Sequence, residues 1–240
     1  YGVDLYGKKS LPKLLHNLGL IEGLEWIRIL YCYPEEINDE LIEAIKNEPK
    51  VCHYLDMPIQ HASDNILKRM GRRTSKQELT DIVAKLRREI PDIALRTTLI
   101  TGFPGETDVD HEEVMQFIDE CEFDRLGVFT YSREEDTVAA QMPDQIDEEI
   151  KEKYRDELMQ LQQEISADRS AAMIGRIVRV MIEGLYQKII HMLDVHTKMH
   201  LMLMVLYLLN VTESLCQVIS LMLRLQAQPN MILLELLLNN

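Results

Sequence analysis

Residues 95–106 read LRTTLITGFPGE, and no other stretch says more about the fold. An apolar, β-branched run ends at Thr101, and Gly102, Phe103, Pro104 and Gly105 then turn the chain. The acidic start Glu106-Thr107-Asp108 follows. A buried strand, a tight glycine turn and a helix N-terminus thus succeed one another within a few residues. In α/β proteins the carboxyl ends of strands are where ligands bind. Glycines there let backbone approach a ligand with no Cβ in the way. An ordinary strand-to-helix turn explains the spacing equally well.

The same alternation recurs along the chain. Residues 1–9 read as a loop. Ser10 and Pro12 open a helix with Leu11, Leu14, Leu15 and Leu18 on one face. Residues 26–33 (WIRILYCY) are a strand candidate, and Asn38 caps the helix that follows. Residues 51–60 (VCHYLDMPIQ) form the next strand, with Pro58 stopping its ladder. A short helix starts at Ser63 or Asp64, and a longer one spans 75–89. After the glycine turn come a helix bearing Val114, Phe117, Ile118 and Cys121, and a strand at 125–131. A polar loop at 132–144 leads to a long helix through Ile146, Ile150, Tyr154, Leu158, Leu161 and Ile165. One helix and then four βα units predict a parallel sheet. Units curling one way suggest part of a barrel; a doubly wound sheet stays open as the alternative. Residues 177–182 suggest the start of a small β-domain.

The formal charge of −14 argues against non-specific nucleic-acid binding and suits a basic protein partner. Cys32, Cys52, Cys121 and Cys216 have neither metal-site nor disulfide-framework spacing. Reduced, buried thiols in a cytoplasmic protein are the expectation. No signal peptide is recognisable.

LYCYP at 30–34, YLDMPIQH at 54–61 and LRTTLITGFPGET at 95–107 resemble the radical-SAM methylthiotransferase family. FDRLGVFTYSREEDTVAAQMPDQI at 123–146 resembles its RimO branch, which modifies an aspartate of a small-subunit ribosomal protein. The tRNA-modifying MiaB branch is the alternative, as is a non-catalytic scaffold that binds SAM or a ribosomal partner. The resemblance covers about residues 1–184. It implies a partial (β/α)6 barrel of TIM type, represented here by about four βα units, followed by a TRAM-like β-domain. It also implies a 4Fe–4S cluster that cleaves S-adenosylmethionine, with a second cluster serving sulfur insertion. The family's Cys-x3-Cys-x2-Cys triad has no counterpart in this sequence, so the chain is expected to be a fragment inactive alone. The domains expected are 1–145, barrel; 146–173, connecting helix; 174–184, start of the β-domain; and 185–240, a leucine-rich tail outside the family.

The resemblance also suggests site residues. Gln60 is expected at the SAM ribose, because an amide both donates and accepts; satisfying loop backbone is its other use. Thr98 is either a SAM contact or a core threonine. Gly102, Gly105 and Glu106 are expected to shape the adenine side through backbone, although Glu106 also suits a helix N-terminus. Arg72 or Arg73 would pair with the SAM carboxylate, or simply be solvated. Tyr131 and Ser132 would line the substrate mouth. His53 and His61 are poor metal ligands alone, and Cys32 reads as a buried strand residue.

Residues 185–240 hold 16 Leu, 6 Met and no Gly, and their composition suggests helix. The run at 201–209 is too short to span a bilayer. A shifted reading frame explains the composition. Let each codon take the third base of one residue and the first two of the next. Because Met is always ATG, Met199-His200 forces Ala, Met204-Val205 forces Gly and Met231-Ile232 forces Asp. Across 191–205 the permitted choices include YVGRTYKDAPDVDG, and near the end STEYD. Both resemble the expected TRAM domain.

Overall fold

The computed structural model describes residues 1–174, 177–185, 192–196, 199–200 and 232–235, with side chains for 1–174. Contacts divide the chain into two compact units, 1–167 and 168–240.

The first unit contains α1 (Val3–Tyr6), α2 (Leu11–Gly19), β1 (Ile27–Ile29), α3 (Asp39–Asn47), β2 (Val51–Asp56), α4 (Asp64–Arg69), α5 (Lys76–Glu89), β3 (Ala94–Thr101), α6 (Asp108–Cys121) and β4 (Arg125–Thr130). The long helix α7 (Glu148–Ala171) follows. The expected Asn38 cap forms, and two capping boxes join it. The Asn38 side chain accepts from Leu41 N–H, and Ser75 with Glu78 and Thr107 with Asp110 close reciprocal capping boxes.

The sheet order is β1-β2-β3-β4, and every pair is parallel. The helices use one face of it. Ile29, Val51, Leu55, Leu95, Leu99, Leu126 and Val128 share a single core with Leu41 of α3, Leu79 of α5, Phe117 of α6 and Leu158 of α7. A doubly wound sheet would divide its helices between two faces, so the single winding decides for the partial barrel. Along β3 the alternation is clean. Leu95, Thr97, Leu99 and Thr101 are buried, while Arg96, Thr98 and Ile100 are half-buried on the opposite face.

Three local expectations change. The 1–9 loop contains one helical turn, α1, set between Gly2 and Gly7 at φ 78° and 68°. The first strand is short because Tyr31 takes φ 56° and breaks the ladder; Cys32 N–H still reaches Asp56 C=O at 2.8 Å. The second strand ends at Asp56, because Pro58 lacks an N–H and Gln60 takes φ 72°. Its backbone nonetheless stays tied to β3. Gln60 N–H donates to Thr98 C=O at 2.9 Å, and Ile100 N–H donates to Gln60 C=O at 2.8 Å.

The second unit is an antiparallel sheet of order β7-β6-β5-β8, with β5 (Ile177–Leu185), β6 (Met192–His196), β7 (Met199–His200) and β8 (Ile232–Glu235). The helical expectation for the tail is therefore corrected: its described stretches are strands. Pairing of β6 and β8 with β5, and of β7 with β6, gives each a ladder of hydrogen bonds, and that tertiary gain overrides helix propensity. The remaining tail positions, including 201–209, lie outside the described residues.

Candidate active site at the carboxyl ends of the strands

The glycine turn after β3 is held by its own glutamate. The Glu106 carboxylate is buried, and its Oε2 accepts from Gly102 N–H at 2.5 Å and Phe103 N–H at 3.2 Å. Its Oε1 faces His61 Nε2 at 3.3 Å, with both side chains 1% exposed. His61 Nδ1 accepts from Ser63 N–H at 3.0 Å, so a neutral ring carries its proton on Nε2, which lies near Glu106 Oε1 without a hydrogen bond to it. The turn after β3 is thereby linked to the segment that follows Gln60.

The two turn glycines do not open a space for a ligand on their Cβ sides. At Gly102, with φ 72°, an added Cβ would lie 2.0 Å from Lys151 Cγ. At Gly105, with φ 85°, it would lie 2.2 Å from the Arg69 guanidinium. The expected close approach exists, but this chain's own side chains make it. Arg69 Nη1 also donates to Pro104 C=O at 3.2 Å. Lys151 is buried in α7, where its ammonium donates to Tyr131 C=O at 3.1 Å and to Glu148 Oε1 at 2.6 Å. The Glu106 side chain clasps its own turn.

Of the other expected residues, Tyr131 borders this turn. Tyr131 packs edge-on against Phe103 at 5.3 Å, and its buried hydroxyl has no hydrogen-bond partner. Thr98 sits on the helix-free face of β3 beside the left-handed Gln60. Arg72 lies 5.0 Å over the Tyr33 ring and donates to Pro58 C=O at 3.3 Å, which sets it at the ends of β1 and β2. Arg73 and Ser132 are exposed.

Asp110 anchors the floor behind the turn. It accepts from Ser63 Oγ at 2.5 Å, from Thr107 through both N–H and Oγ1, and from Asn65. Burial pushes its pKa up, but these donors outweigh burial and hold it below the usual carboxylate value. Sequence reasoning missed Arg69, Lys151 and the Asp110 network. The helix-start acids signalled only caps, and nothing in the sequence places Lys151 against Gly102.

The described thiols do not suit a cluster. Cys32 after β1, Cys52 in β2 and Cys121 in α6 are buried apart, and burial pushes Cys32 and Cys121 up to about 11. Iron–sulfur ligation needs clustered thiolates. Among the described residues no group of three His, Cys, Asp or Glu is placed to hold a metal.

Residues 4–118 match the Radical SAM superfamily. Over 184 residues, 77% of this chain, the sequence is 65% identical to the ribosomal protein uS12 methylthiotransferase RimO of Lachnoclostridium phytofermentans. The chain belongs to the RimO branch of the radical SAM family. RimO proteins of Clostridium botulinum and Geobacter sulfurreducens are 57% and 55% identical, again over 77% of this chain. This RimO-branch chain spans only 42% of the Lachnoclostridium relative and 41% of the other two. Among solved structures, the radical SAM coproporphyrinogen III oxidase HemN of Escherichia coli aligns with TM-score 0.45 at 22% identity. That alignment covers 63% of this chain and 34% of HemN. Family members use S-adenosylmethionine and 4Fe–4S clusters, and the described residues of this chain supply no ligand set for a cluster.

Proposed function

We propose that this chain is part of a radical methylthiotransferase that adds a methylthio group to an aspartate of ribosomal protein uS12. The 65% identity to a protein of that name carries the reading. S-Adenosylmethionine and a 4Fe–4S cluster supply hydrogen-abstracting chemistry in such an enzyme. The chain's own contribution is to hold the SAM nucleoside. Gln60 offers an amide to the ribose hydroxyls and Arg72 a guanidinium to the carboxylate. Thr98 and Tyr131 flank the nucleoside, and Gly102 and Gly105 offer backbone to the adenine. His61, Glu106 and Lys151 keep that backbone in place. Without cluster ligands the chain alone is inactive in this reading. Its partner is a basic ribosomal protein in the cytoplasm, and among the described residues no helix is long and apolar enough to cross a membrane.

Titration calorimetry with SAM tests the pocket. Wild-type chain releases a saturable heat, and Gln60→Asn weakens binding about tenfold, the loss of one hydrogen-bonding contact. Asparagine tolerates left-handed backbone, so the unfolding midpoint stays put. No heat from the wild type, or equal affinity in the variant, overturns the assignment of Gln60 to the ribose.

We also propose that the barrel portion is 1–145, the connecting helix 146–173 and the β-domain start 174–184, with 185–240 read in a shifted frame. The relatives support this by matching over 184 residues, as many as precede Leu185. The forced codons point the same way. Sequencing the DNA across Gly184 decides it, and an unshifted frame that continues the relatives' sequence there rejects the idea.

A further inference from the structure

On the sheet face away from the helices, the register lines up Asp56 of β2, Arg96 of β3 and Arg125 of β4 as successive partners. Like charges on neighbouring strands repel, so Arg96 beside Arg125 costs stability. One carboxylate relieves part of this: Asp56 Oδ2 pairs with Arg96 Nη1 at 2.5 Å. The Asp56 side chain is only 2% exposed, and its Oδ1 has no hydrogen-bond partner. Arg28 adds a third guanidinium, stacked 3.7 Å over the Tyr54 ring, with its buried Nε unpartnered. Tyr54 lies within electrostatic reach of all three arginines, so they form one cluster. The Arg125 guanidinium donates to Asp124 C=O at 2.9 Å, and burial pulls its pKa down. Asp124 accepts from Leu95 N–H at 2.9 Å and adds its charge to the Arg125 end of the row. Three guanidiniums still outnumber these two carboxylates. Arg96 has further N–H donors beyond the Asp56 contact, and its side chain is 36% exposed.

We propose that this row is the carboxylate subsite for the substrate aspartate, with Arg96 taking the side-chain carboxylate and Asp56 and Arg125 fixing its position and charge. The proposal rests on the uS12 reading above and names the group that distinguishes the substrate residue. A guanidinium fork pairs two N–H groups with the two oxygens of a carboxylate. An asparagine side chain offers one oxygen and no charge, so the subsite selects against it.

The test uses the full 240-residue chain. Calorimetry with SAM present compares a synthetic uS12 peptide carrying the target aspartate with the same peptide carrying asparagine. Wild type is expected to prefer the aspartyl peptide by about tenfold, the scale of one charge-assisted contact. Arg96→Gln removes the preference, lowering aspartyl affinity far more than asparaginyl affinity. Arg125→Gln keeps the Asp56 pair and reduces the preference in part, so it still tests the row if Arg96→Gln fails to fold. Equal wild-type affinity for the two peptides overturns the subsite while leaving the uS12 reading standing. Binding of neither peptide overturns both. Equal loss of both peptides in an Arg96→Gln chain that melts normally also rejects the subsite.

Discussion

Gly102→Ala is expected to destabilise the first unit by about 3 kcal/mol. Left-handed backbone costs a residue with a Cβ about 1 kcal/mol. Overpacking a buried site adds about 1–3 kcal/mol. The new methyl would meet Lys151 Cγ at 2.0 Å, and Lys151 has little room to retreat. Its ammonium is tied to Tyr131 C=O and Glu148, and its own carbonyl accepts from Thr101 Oγ1 at 3.1 Å. Gly71→Ala is the control. It has the same φ of 72° with nothing within 4 Å of an added Cβ, so it should show the backbone cost alone. Urea unfolding of both variants separates the two contributions. Equal midpoints would mean that Lys151 does not pack on the turn.

Glu106→Ala should cost a similar amount, about 3 kcal/mol, by leaving buried donors without an acceptor. Gly102 N–H and Phe103 N–H lose their shared oxygen, and His61 loses the nearby carboxylate charge. Glu106→Gln is the sharper variant. Its carbonyl can still serve the turn, but its amide N–H then faces a protonated Nε2. The Ser63 N–H at Nδ1 prevents the neutral ring from changing tautomer to accommodate it. The expected order of stability is wild type, then Gln, then Ala. A Gln variant as stable as wild type would show that His61 does not point its proton at Glu106.

The elements were legible in the sequence because their signals are local. Leu41, Ile42 and Ile45 mark a helix face, and Ser75 with Glu78 marks a helix start, whatever surrounds them. The apolar, β-branched run at 95–101 likewise announced a buried strand, although not what covers it. The site was legible only in outline. Gly102 and Gly105 announced a close approach, but not whether a ligand or a side chain makes it. Nothing local in the sequence pairs Arg96 with Arg125; the strand register does. Register and long-range contact depend on the whole fold, and one sequence carries no local mark of them. The helical reading of the tail failed for the same reason: strand pairing, not composition, determines its described strands.

The contact between Lys151 and Gly102 joins a late helix to the turn in the middle of the barrel. A bulkier residue at 102 becomes tolerable only when 151 shrinks, and a shrunken 151 leaves a void that 102 can fill. Related sequences should therefore change these two positions together or not at all. The pair would appear as a coupled signal in an alignment.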